Sequence, residues 1–130
     1  MPRFTKESYV LALLLAGCSA PAPADLSVSV VSDHGLVDAD VRVASPVERG
    51  ENDVFVELRP HSGGGDAQLL AVRATMAAHG HEASAAEIER TATGFHAREL
   101  DLFMTGRWLL ELELSLDEQQ DTVSMPVDVP

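Results

Sequence analysis

The sequence predicts an all-β protein, an antiparallel sandwich of about seven strands. Three observations carry this. Six stretches alternate apolar and polar residues with period two, the spacing that puts successive side chains on opposite faces of a strand. Clusters rich in Gly, Asp, Asn and Pro separate these stretches at roughly even intervals. No repeat of 20–50 residues recurs along the 130 residues, which excludes a repeat array.

Residues 1–17 lie outside this pattern. Arg3 and Lys6 give a positive start, Val10 to Ala16 are unbroken apolar, and small residues close the run before Cys18. This is the layout of an export signal peptide, and its apolar run falls well short of the ~20 residues of a membrane-spanning helix. The ending Leu15-Ala16-Gly17-Cys18 closely resembles the lipobox of bacterial lipoproteins. In that family the peptide is cut before the cysteine, which becomes the first mature residue and carries lipid, palmitate included. The resemblance extends to sorting: Ser19, in place of Asp, implies the periplasmic face of the outer membrane. Residues 18–25 then form the lipidated Cys18 and an Ala/Pro tether, SAPAPAD, which disfavours helix and favours extended chain. The domain is expected over residues 26–130.

Its strands follow in order. Leu26, Val28 and Val30 alternate with serines; Val37, Ala39, Val41 and Val43 with Asp38, Asp40 and Arg42; Val54, Val56 and Leu58 with charged neighbours. Leu70, Val72, Ala74 and Met76 share one parity, as do Trp108, Leu110, Leu112 and Leu114, and Val123, Met125, Val127 and Val129 close the chain. Turns are expected at Asp33-His34-Gly35, Glu48 to Asn52, Pro60 to Asp66, Thr93-Gly94 and Thr105-Gly106. The segment Glu82 to Thr91 is rich in helix formers, and a strand or an irregular crossing is expected there instead. The predicted core comprises Val54, Val56, Leu58, Leu70, Val72, Trp108, Leu110, Leu112 and Leu114.

Composition excludes several functions. Without residues 1–17, seven Arg face twenty Asp and Glu, a net charge of −13 with no lysine. Such a chain is repelled by nucleic-acid phosphates and anionic headgroups, so the expected membrane attachment is the lipid on Cys18 alone. Cys18 is the single cysteine, which rules out an internal disulfide and thiol chemistry in the domain. The chain has no G-x-S-x-G elbow and no H-E-x-x-H, so a non-catalytic role is expected.

One constellation bears chemistry. Met76, His79 and His81 form Met-x-x-His-x-His, and Met104 follows about 25 residues on. Thioether and imidazole suit copper, the sulfur favouring Cu(I). His79 and His81, two apart in an extended segment, would point the same way, and Gly80 leaves the backbone room to bend. The same residues have a structural reading, with Met76 in the core on the parity of Leu70, Val72 and Ala74. His34, His61 and His96 read as solvated surface residues.

Residues 47–115 resemble the YtkA-like domain, related to the periplasmic part of FixH-type proteins. The resemblance rests on Gly50-Glu51-Asn52 opening a strand, MAAHGH at Met76 to His81, Gly94-Phe95, and FMTGRW at Phe103 to Trp108. It implies an immunoglobulin-like sandwich that is exported or membrane-attached, and a link to copper supply or assembly of terminal oxidases. Where the family often has Pro after the Met and a second Met before Gly-His, this chain has Ala77 and His79. Residues 26–46 fall outside the resemblance and would add an edge strand. Two readings of function follow: a lipid-anchored envelope module that binds another envelope protein, and a copper-binding or copper-delivery module using Met76, His79, His81 and Met104.

Overall fold

The computed structural model describes residues 25–130, so the expected signal peptide, Cys18 and the expected tether before Asp25 lie outside the described residues. The described chain is all-β: β1 (Leu26–Val31), β2 (Val37–Val43), β3 (Gly50–Pro60), β4 (Ala67–Met76), β5 (His81–Ser84), β6 (Glu87–Arg90), β7 (Phe95–Leu102), β8 (Gly106–Leu116) and β9 (Gln119–Val129). Two antiparallel sheets pack face to face, one ordered β1-β2-β3-β7-β6 and the other β5-β4-β8-β9. Lettered from β2 as A to G, with β5 as C′, the sheets read A-B-E-D and C′-C-F-G. That is the strand order of the immunoglobulin fold. β1 is an added edge strand; residues 26–46, expected to add one edge strand, form two, β1 at the edge and β2 inside it.

Nine strands form where about seven were expected. The difference lies at β7, where no alternation was read, and in the segment Glu82 to Thr91, which becomes parts of two strands, β5 and β6. Its helix-forming composition is overridden because it carries the chain from one sheet to the other. Ala83, Ala85 and Ile88 pack on the core along the way, and burial outweighs the few tenths of a kcal/mol per residue that helix propensity contributes.

Alternation places the core as predicted in most strands. Val54, Val56, Val72, Trp108, Leu110, Leu112 and Leu114 are all buried between the sheets. Leu58 is only half-buried and packs against the margin of the core. Leu70 corrects the reading outright: it is 47% exposed, and Leu69 is buried in its place. The pairing of β4 with β8 shifts between Leu69 and Ala71, which inserts an extra residue into β4. Such a β-bulge reverses the parity of everything before it, so one alternation could not serve the whole strand. β7 behaves likewise. Its register against β3 shifts between Asn52 and Val54, Glu99 adopts φ 57°, and Ala97 and Leu100 both face inward. Gly94, in the turn between β6 and β7, is required by close approach, because a Cβ there would stand 2.1 Å from the carbonyl oxygen of Val56. Among the described residues no helix is long and apolar enough to cross a membrane.

Candidate functional site

The four sequence-predicted ligands come together at one end of the sandwich, where the β4–β5 hairpin meets the β7–β8 loop. Met76 ends β4 and pairs across the hairpin with His81, the first residue of β5. Directly opposite residues share a face of a sheet, so His81 lies on the inner side with Met76, at its open margin. Met76 is buried, and its methyl group faces Gly106 at the start of β8. His79 is not in an extended segment as the spacing suggested. It sits in the turn from Ala77 to Gly80, where its N–H donates to the Met76 carbonyl at 3.1 Å and Gly80 closes the turn at φ 66°. The turn nevertheless brings the His79 and His81 rings to 6.1 Å between centres. With metal–nitrogen bonds of about 2.0–2.1 Å, two imidazoles on one ion hold their ring centres roughly 5–6.5 Å apart, and the separation of this pair falls in that range.

An aromatic ladder connects this corner to the core. His81 meets the edge of Phe103 at 5.2 Å, and Phe103 meets Trp108 at 5.3 Å, both nearly perpendicular. Trp108 is fully buried, and its indole N–H donates to the carbonyl of Met104 at 2.9 Å, which holds the β7–β8 loop over the tryptophan. Met104 is half-buried against the core. Among the described residues no group of three or more His, Cys, Asp or Glu is placed to hold a metal. The other soft side chains at this corner are the thioethers of Met76 and Met104, and imidazole with thioether is a donor set suited to copper. Phe103 and the ladder were not anticipated as part of the corner. The FMTGRW run was the available signal, since an exposed Phe beside a turn has no packing reason of its own.

At the opposite end of the sandwich a buried carboxylate holds the β1–β2 turn to β9. Asp121 has a fully buried side chain. It accepts the backbone N–H of Thr122 at 2.8 Å, that of His34 at 3.0 and 3.1 Å, and the His34 ring at 2.9 Å. Burial pushes this carboxyl up, but hydrogen bonds from Ser32, Thr122 and His34 together outweigh burial and hold it far below the usual carboxylate range. Asp121 shares the parity of Val123, Met125, Val127 and Val129, and an acid in that apolar series was the legible sign of a buried, satisfied charge. His34 is thus largely solvated but bound to Asp121, and His61 is bound to Asp38 at 2.7 Å. His96 departs from the expectation of a solvated residue. It is only 17% exposed and stacks on Phe55 at 4.3 Å, with Arg42 over the same Phe55 ring.

Five of the seven arginines after residue 17 are held in ion pairs. Arg42 with Asp25, Arg59 with Asp40, Arg73 with Glu113, Arg98 with Glu89 and Arg107 with Asp128 are bound pairs, each joining residues on different segments. An open groove of about 220 Å³ runs between Phe55 and the Thr91–Gly94 turn, and its arginine and one of its acids, Arg42 and Asp40, are already engaged in these pairs. No protein-family model, curated protein or solved structure matches this chain.

Proposed function

We propose that this chain is a lipid-anchored, non-catalytic β-sandwich module of the bacterial envelope. It is held by Cys18 at the periplasmic face of the outer membrane and has an interaction or assembly role. The observation that carries this is the state of the polar side chains. Five arginines are engaged in cross-strand or cross-segment ion pairs, and the one fully buried carboxylate among the described residues is saturated by turn donors. The apolar space inside, between Val43, Val54, Ala74, Trp108 and Val127, is too small for a water molecule. The YtkA-like resemblance of residues 47–115 belongs to the same proposal. Cell fractionation tests the anchor: wild type is expected in the outer-membrane fraction, and Cys18→Ala is expected to be released or mislocalised. Recovery of Cys18→Ala in the same fraction, with the mass of wild type, would refute it.

A second reading is favoured by the 6.1 Å approach of His79 and His81 beside Met76 and Met104: the corner takes up copper. Trp108 is the single tryptophan and joins His81 through Phe103, so it reports on the site. Addition of copper should quench its fluorescence in one saturable step near one ion per chain. Substitution of both His79 and His81 by Ala should abolish that step and leave the melting curve in place. Diffuse binding by the surface carboxylates would not saturate and would be screened by salt over a Debye length of ~8–10 Å. A double variant that binds as tightly as wild type would leave the interaction module as the sole reading.

A further inference from the structure

The described sheets end in four edge strands, and three are blunted against pairing. β5 and β6 are four residues long, and β6 carries Glu87, Glu89 and Arg90. β9 contains Pro126, which has no N–H, together with Asp121 and Asp128. Short length, charge and proline are the usual guards of an edge. β1 has none of them. Its sequence LSVSVV holds no charge, proline or glycine, and its six residues pair with β2 without a register shift. Its other edge is unpaired among the described residues.

β1 also overhangs. The five-stranded sheet is wider than its four-stranded partner, and Leu26, Val28 and Val30 face inward yet are only half-buried. The strand therefore presents an open row of backbone donors and acceptors beside an uncovered apolar row. The geometry points to a second copy of this chain as the occupant, paired β1 to β1 in antiparallel sense about a two-fold axis.

The sequence of β1 is self-complementary under that axis. With Val28 opposite Val28 of the other copy, Leu26 meets Val30 and Ser27 meets Ser29. Opposed residues in an antiparallel ladder share a face, so Leu26, Val28 and Val30 of both copies form one continuous inner row. The serines form one outer row. The contact is isologous, so it closes at two copies and does not propagate. It joins the two five-stranded sheets into one. After residue 17 each chain carries a net of −13, and β1, an edge strand with no charge, is where two copies pair without placing like charges opposite one another. The one carboxylate just before it, Asp25, is neutralised by Arg42 at 2.5 Å. A single strand edge buries well under about 1,200 Å², which places the dimer among weak, transient assemblies.

Sedimentation equilibrium of the full chain in density-matched detergent, from about 1 to 500 μM, should show a reversible monomer–dimer equilibrium. Substitution of both Ser27 and Ser29 by Lys places charges on exposed positions of the edge. It should weaken dimerisation at least about tenfold with an unchanged melting curve. Val28→Cys should give a cross-linked dimer with a short bis-maleimide, well above the level set by Cys18 in the wild type. A chain that is monomeric at every concentration would overturn the inference. So would a dimer indifferent to the double Lys substitution, or a Val28→Cys variant that cross-links no better than wild type.

Discussion

Replacement of Asp121 by Asn keeps the shape of a buried side chain and removes its charge. In the native protein both carboxylate oxygens accept: His34 N–H reaches each of them, and Thr122 N–H, the His34 ring and Ser32 complete the set. An amide supplies one acceptor oxygen and turns an NH₂ toward donors, so at least one buried backbone N–H loses its partner. A hydrogen bond to a charged group contributes about 1.5–3 kcal/mol, and a buried donor left unsatisfied costs about 1–3 kcal/mol. The expected loss is therefore roughly 2–4 kcal/mol, or about 10–20 °C in Tm for a domain of this size. The pH dependence identifies the cause. The folded carboxyl sits below its unfolded value, so its contribution is complete above the ordinary Asp pKa of about 4 and declines as pH falls below it. Circular-dichroism melts of wild type and Asp121→Asn should differ most between about pH 5 and 7 and converge steadily below about pH 4. A difference in Tm that stays constant down to pH 2.5, or that is absent at pH 7, would refute the role assigned to Asp121.

Two further substitutions test the packing. Leu69→Ala should cost about 2–5 kcal/mol, while Leu70→Ala should stay within about 0.5 kcal/mol, because the bulge in β4 buries the first and exposes the second; denaturant titration of the pair reversed in order would place the bulge elsewhere. Trp108→Ala removes the largest buried side chain and the donor that holds Met104, and should cost about 3–5 kcal/mol. That loss is a large share of the ~5–15 kcal/mol available to a domain, so a variant melting within a few degrees of wild type would show that the tryptophan is not central to the core.

Period-two alternation was sufficient to read β2, β3, β8 and β9, because each has one face buried against the other sheet over its whole length. It failed at Leu70 for a specific reason. A bulge is one extra residue in one strand, and the local sequence Leu69-Leu70 offers an apolar side chain to either face. Which leucine turns inward is decided by the partner, since Leu69 pairs with Leu114 in β8. The His79–His81 approach was anticipated from an extended backbone, whereas a turn closed by Gly80 produces it. His96 reads as solvated because it stands isolated in the sequence near a turn. Phe55 and Arg42 lie in the same outward row across β7, β3 and β2, and only their stacking covers it.

The sequence by itself determined the all-β class, the identity of most core residues and the turns at Asp33 to Gly35, His61 to Asp66 and Thr93-Gly94, because strand periodicity and turn chemistry are local properties of a few neighbouring residues. It also determined the acidic, lysine-free character of the chain after residue 17 and the single cysteine. The tertiary structure alone decided which strands became edges, where Glu82 to Thr91 crosses between sheets, and that Met76, His79, His81 and Met104 share one corner with Phe103 and Trp108. It alone decided that Asp121 is buried beneath the β1–β2 turn. These are contacts between residues up to 87 positions apart, and such pairings are fixed by how two sheets pack together, which no short window of sequence contains.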